Sequence, residues 1–136
     1  MMVAKTTHAG LQDAEPAMDL ASLLRLQQLV RDIEIGDHLV RYATRLVRAT
    51  RPQETTVAAV RKHVGWGAGP RAGQALVLAS KARALMQGRL AVTRDDIQAM
   101  LLPVLAHRVL RNFEAEADGV AMADILQALR NEIKVD

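Results

Sequence analysis

Residues 65–110 read GWGAGPRAGQALVLASKARALMQGRLAVTRDDIQAMLLPVLAHRVL, and this stretch decides the fold. Pro70 stands where a first helical residue tolerates proline, and Gly69 stands in the capping position before it. Behind them Ala72, Ala75, Leu76, Ala79, Ala82, Leu85 and Met86 recur at helical spacing, which predicts a long helix. Its alanine-rich stripe permits close approach of a neighbouring helix. Gly88 stops it, and Val92 is expected to make a brief extended contact. Thr93-Arg94-Asp95-Asp96 then reads as a second helix start. Thr93 caps, and the two acids sit at the positive end of the helix dipole. Ile97, Met100, Leu101, Val104 and Leu105 carry the apolar stripe, with Pro103 expected to kink it.

The flanking sequence extends the same pattern. Upstream, Leu20, Leu23, Leu24, Leu26, Val30 and Ile33 form one broad stripe, with Asp19 as N-cap. Gly36 separates this segment from a strongly amphipathic one carried by Leu39, Val40, Ala43, Leu46, Val47 and Thr50, which Pro52 ends. Val57, Val60 and Val64 allow a short helix. Downstream, residues 107–119 read as a linker with a short helix or extended piece. A last helix is carried by Met122, Ile125, Leu126, Leu129 and Ile133. Residues 1–19 show no clean period and are expected to be a leader or connector, leaving 20–136 as the helical domain.

Composition agrees with helices. Half of the 136 residues are hydrophobic, yet only Tyr42, Trp66 and Phe113 are aromatic. That balance argues against a β-sandwich or barrel, which draws on aromatic and β-branched residues. It also argues against a nucleic-acid module that stacks bases on aromatic platforms. With no cysteine, disulfides, thiolate metal sites and cysteine nucleophiles are excluded. No apolar run reaches the ~18–20 residues of a membrane span, and the leader lacks the apolar core of a secretory signal. A cytoplasmic protein is expected. The fold class is all-α, a small bundle of about five main helices. Eighteen basic residues face fifteen acids, for a net charge of +3. The densest basic stretch holds Arg41, Arg45 and Arg48 at helical spacing, expected to be an ordinary solvated face.

One segment points to chemistry. A glycine-rich turn opening a helix offers backbone N–H groups and a positive dipole end to an anion. Arg71, in the first turn, adds a guanidinium able to hold phosphate through two hydrogen bonds. A dinucleotide fingerprint is excluded, since the spacing at Gly65, Gly67 and Gly69 is wrong and no βαβ unit surrounds it. No Gly-x-x-x-x-Gly-Lys-Ser/Thr occurs in the chain. A purely structural turn, with Arg71 paired to a nearby acid, stays open on these residues alone. His8, His38, His63 and His107 lack metal-ligand spacing, Asp95 and Asp96 read as helix-start charges, and Ser22 and Ser80 lie in helical stripes. No catalytic residue and no metal site are expected.

The same stretch resembles the C-terminal lid of the MoxR family of AAA+ ATPases. The family pattern Gly-Ala-Ser-Pro-Arg-Ala is matched by Gly67, Ala68, Pro70, Arg71 and Ala72. Its helix-ending Gly-Arg is matched by Gly88 and Arg89, its Val-Thr-x-x-Asp by Val92, Thr93 and Asp96, and its Val-Leu-x-His-Arg by Val104, Leu105, His107 and Arg108. Upstream, Tyr42 through Pro52 resembles the family's Tyr-x-x-x-Leu-Val-Arg-Ala-Thr-Arg stretch, and Phe113–Ala117 with the closing helix also fits. The resemblance spans about residues 20–133.

The resemblance implies a role. In AAA+ proteins the Pro-Arg pair opening this helix is the sensor-2 element, whose arginine reaches ATP phosphates when the lid packs on the core domain. Arg71 is the matching residue; Pro70, Gly69 and Gly67 complete the implied nucleotide-contacting set. Gly69 departs from the family's usual Ser, which removes a capping hydroxyl. Trp66 either lies near adenine or plugs the turn, and the plug is expected. Arg108 and His107 are expected to satisfy carbonyls at the end of the preceding helix. Walker A, Walker B, sensor 1 and the arginine finger belong to a larger domain expected to precede this one, so the chain alone is not expected to be an enzyme. The implied parent is an ATPase using ATP with Mg, a chaperone-like assistant in complex assembly or metal-cofactor maturation. It would form a hexameric ring and work beside a protein with a von Willebrand factor A domain. The rival reading is a non-enzymatic helical module that binds nucleic acid or an acidic partner through Arg41, Arg45 and Arg48. Such binding would weaken steeply with salt.

Overall fold

The structure, a computed structural model, describes residues 15–135. The expected leader, with His8, lies outside the described residues up to residue 14. Seven helices follow among the described residues: α1 (Leu20–Asp32), α2 (Asp37–Arg48), α3 (Ala58–His63), α4 (Pro70–Met86), α5 (Arg94–Leu105), α6 (Phe113–Ala117) and α7 (Met122–Glu132). Five of them have eleven residues or more, as the periodicity predicts. α3 and α6 are the short helices that residues 57–64 and 107–119 allowed. The fold is an all-α bundle with one small sheet.

The longest helix, α4, forms the spine. Its small residues Ala72 and Ala84, with Leu76, are buried, so α5 packs closely along it, and α2 and α1 also lie against it. α5 and α3 pack on α7, closing the bundle. Tyr42, Leu46, Leu76, Ile97, Leu105, Ile125 and Leu129 are fully enclosed at its centre. One polar pair crosses this core: Gln98 Nε2 donates to Tyr42 Oη at 3.0 Å. A buried amide and phenol that satisfy each other fix the register of α5 against α2.

The helix ends follow local chemistry. Asp19 accepts from the Ser22 amide at 2.7 Å and starts α1. Gly88 adopts φ +70°, with its amide on the Leu85 carbonyl and the Arg89 amide on the Ala84 carbonyl. That pairing closes α4 in a Schellman turn and aims Arg89 at the start of α5. Pro103 lies inside α5, which continues to Leu105. Arg108 Nη1 donates to the Val104 carbonyl at 2.6 Å, as expected, whereas His107 is exposed. Val92 makes the anticipated extended contact: its amide donates to the Glu34 carbonyl at 2.9 Å, beside a Glu34–Ala91 bridge.

Two features go beyond the sequence reading, which left residues 107–119 as a linker with a short helix or extended piece. Val64–Trp66 (β1) and Leu110–Arg111 (β2) pair antiparallel, Val64 against Arg111 and Trp66 against Leu110. Strands this short carry no alternation by which sequence could announce them. The second feature is α1. The helix forms where expected, but none of its thirteen residues is buried. Leu20, Leu23, Leu24, Leu26 and Leu29 are 42–70% exposed. α1 is held at its C-terminal end, where Lys81 Nζ donates to the Arg31 carbonyl at 2.8 Å and Ile33 enters the core.

Candidate functional site

The site is built where the start of α4 meets the end of α2. Ala68, two residues before α4, is 1% exposed, and its amide donates to Thr50 Oγ1 at 2.9 Å. Thr50 Oγ1 in turn donates to the Val47 carbonyl at 2.6 Å. Arg51 Nε reaches the Ala68 carbonyl at 3.4 Å, and Arg51 Nη1 pairs with Glu54 Oε1 at 2.9 Å. The second Glu54 oxygen accepts from Arg48 Nε at 3.3 Å. The Arg51 hydrogen bond, reinforced by Arg48, holds the Glu54 carboxyl below its ordinary range.

Gly67 has a specific reason to be glycine. A Cβ there would lie 2.6 Å from the Thr50 carbonyl oxygen and 2.8 Å from Arg51 Cα. The turn presses onto the backbone just past the C-terminus of α2 at this point, which only glycine permits. Gly69 is different: it is extended, at φ −82° and ψ 174°, caps α4 without a side chain, and has open space around it. A serine would fit. Gly69→Ser is therefore expected to stabilise the fold by about 0.5–1 kcal/mol, combining a capping hydroxyl with lower unfolded-chain entropy. Urea titration followed by circular dichroism measures it; a destabilised variant would contradict the geometry.

Arg71 is exposed and has no hydrogen-bond or ion-pair partner among the described residues. The structural alternative, in which Arg71 pairs a nearby acid, finds no such acid among them. Pro70 occupies the first position of α4. Together these residues present one cation at the positive end of a seventeen-residue helix. Trp66 is 73% exposed, so it does not plug the turn; the Gly67–Thr50 contact fills that place. Its indole borders a cleft of about 320 Å³ with Arg51, Gln53 and the glycine backbone. On the other side of Pro70, a groove of about 720 Å³ runs between α2 and α4. Val40, Val47, Val77 and Leu78 form its floor, with Arg48, Arg51 and Lys81 along it.

The structure does not bring Arg41, Arg45 and Arg48 out as a common free face. Arg41 is exposed, Arg45 donates to the Lys134 carbonyl, and Arg48 is tied to Glu54. Elsewhere, Asp96 is more than a helix-start charge. It is 1% exposed and accepts from Arg89 Nη1 and Nη2, both at 2.7 Å. It also accepts from the Thr93 amide and hydroxyl, both at 2.9 Å. Sequence reasoning underrated this pair, although Arg89, Thr93 and Asp96 all stand in the family-like motifs. It missed Thr50 as a partner of Ala68, for which linear spacing holds no signal.

Comparison with known proteins agrees with this architecture. The chain is 33% identical over 109 residues to "Chaperone MoxR1" of Mycobacterium tuberculosis (strain ATCC 25618 / H37Rv), covering 79% of this chain and 29% of that protein. It is 32% identical over 105 residues to "Protein MoxR" of Paracoccus denitrificans, covering 71% and 31%. A crystal structure of a protein assigned as an ATPase, from Cytophaga hutchinsonii ATCC 33406, superposes with a TM-score of 0.80 at 29% identity, over 85% of this chain and 36% of that one. The chain thus spans about a third of the length of these relatives. Residues 56–129, from before α3 to near the end of α7, match the AAA lid domain family. With that match, the MoxR relatives and the shared fold, the chain belongs to the AAA lid domain family, in its MoxR-like form.

Proposed function

We propose that residues 20–136 act as the lid of a MoxR-like AAA+ ATPase, and that Arg71 contacts the phosphates of ATP held by the core domain of the same protein. The observation that carries this is the exposed Arg71, without a partner among the described residues, at the start of the longest helix, on a turn anchored beside α2. A guanidinium at a helix N-terminus favours dense negative charge, and its contact changes when a phosphate is lost. Pro70 and Gly69 shape the approach. Gly67 supports the turn from behind. ATP with Mg supplies the reacting phosphate on the core domain; this chain's part is to bind and sense it. A chaperone-like role follows the relative named a chaperone. The test is removal of the Arg71 guanidinium in the ATPase that carries this lid, reading ATP turnover: unchanged turnover would overturn the assignment.

The leucines of α1 support a covering domain. An apolar helix stripe is stable when buried, yet five leucines of α1 face solvent in this chain alone. The core ATPase domain is the proposed cover. Without it, the chain is expected to self-associate through α1. Leu20→Glu with Leu24→Glu should abolish that association, seen by analytical ultracentrifugation, while leaving helicity intact. A wild-type chain that stays monomeric at all accessible concentrations would count against this role for α1.

A further inference from the structure

The turn that carries Arg71 is intrinsically loose, since Gly65, Gly67 and Gly69 alternate through five residues. Yet it is gripped on both sides by Thr50 and Arg51, just past the end of α2. Thr50 is 1% exposed, and its hydroxyl both accepts from the Ala68 amide and donates to the Val47 carbonyl. That places one side chain between the last turn of α2 and the backbone leading into α4. Arg51, held by Glu54, takes the Ala68 carbonyl. The missing Cβ of Gly67 lets the two backbones close on each other. From Ala68 the chain reaches Arg71 through only Gly69 and Pro70, and the Pro70 ring fixes φ. Little freedom remains between the Thr50 hydroxyl and the Arg71 backbone.

Resting on the assignment of Arg71 to phosphate, we infer that Thr50 is a positioning residue for Arg71. It touches no nucleotide. It sets the direction from which the guanidinium approaches, with Arg51 and Gly67 as the other parts of the same clip. The physical need is geometric: a displacement near 1 Å at a charge-stabilising group can lower a rate by up to about a hundredfold. The clip also makes the end of α2 and the start of α4 move as one body, so a change in the phosphate contact is passed to the α2–α4 groove.

The test is a double-substitution cycle in the ATPase that carries this lid. Thr50→Val keeps the volume and deletes the hydroxyl; Thr50→Ser keeps the hydroxyl. Thr50→Val is expected to lower kcat/KM for ATP about tenfold, and Thr50→Ser to restore it to within about twofold. In an Arg71→Ala background, Thr50→Val should cause no further loss, because the residue it positions is gone. Additive losses, or a Thr50→Ser variant as slow as Thr50→Val, would overturn the inference while leaving the Arg71 assignment intact. A silent Arg71→Ala would instead overturn the assignment and the inference with it. Amide hydrogen exchange in the 136-residue chain gives a reading independent of turnover. The Ala68 N–H should be protected in the wild type and Thr50→Ser, and lose protection in Thr50→Val. Equal protection in all three would refute the clip.

Discussion

Replacing Asp96 by alanine is expected to cost the fold about 3 kcal/mol, the lower end of what breaking a buried ion pair costs. The carboxylate is 1% exposed and serves two helices at once. It meets Arg89 through two parallel hydrogen bonds of 2.7 Å, with Arg83 Nε also within 3.4 Å. On the other side it completes a capping box with Thr93, satisfying an orphan amide at the start of α5. Alanine leaves two arginines without their counter-charge and uncaps the helix. Both guanidinium side chains are about a third exposed, so water recovers part of their solvation, which sets the cost near the low end. Against a typical total of about 5–15 kcal/mol, urea unfolding would show a clear midpoint shift. A loss below about 1 kcal/mol would mean the pair is merely a solvated surface contact.

The same carboxylate gives the stability a pH dependence with a defined sign. The Arg89 hydrogen bonds, with help from the Thr93 donors and against the cost of burial, pull the Asp96 pKa from 3.8 down to about 2. A depressed carboxylate pKa contributes stability that is fully present above the unfolded value. That stability is lost as pH falls from about 4 towards 2 and amounts to about 2 kcal/mol. Asp19, Glu54 and Asp118 are depressed as well, but their carboxylates are exposed and add little. Acid destabilisation between pH 4 and 2 should therefore flatten in Asp96→Ala.

What was legible in the sequence was mostly what neighbouring residues decide. Pro70, Gly88 and Thr93 mark the ends of α4 and α5 because capping is settled within a turn of chain. Asp19 marks α1 for the same reason. What stayed hidden depended on distant segments meeting. Thr50 and Ala68 are eighteen residues apart, and no spacing rule joins them. The glycine spacing of the turn also holds no sign that Gly67 lacks a side chain because the Thr50–Arg51 backbone closes on it. Trp66 was expected inside the turn, but that contact leaves no room, and the indole faces solvent beside β2. The stripe of α1 shows the limit most clearly. Periodicity reports that a helix has an apolar face, not what lies against it.

On the proposed contact between Arg71 and ATP in a full-length ATPase carrying this lid, Arg71→Ala is expected to lower kcat/KM for ATP by about a hundredfold, the usual loss for one donor to transition-state charge. The fold should barely notice. Arg71 is exposed and without a partner among the described residues, and substitutions at such positions stay within about 0.5 kcal/mol. A catalytic loss with an unchanged melting curve is thus the signature, the opposite of Asp96→Ala. Arg71→Lys separates charge from shape: an ammonium keeps the charge but not the planar fork that spans two phosphate oxygens. Lysine should recover part of the rate and little of the geometry. If instead lysine restores full turnover, Arg71 supplies only long-range charge, and the loss in Arg71→Ala should shrink with rising salt. If alanine itself turns over ATP at the wild-type rate, the first turn of α4 does not face the phosphates at all.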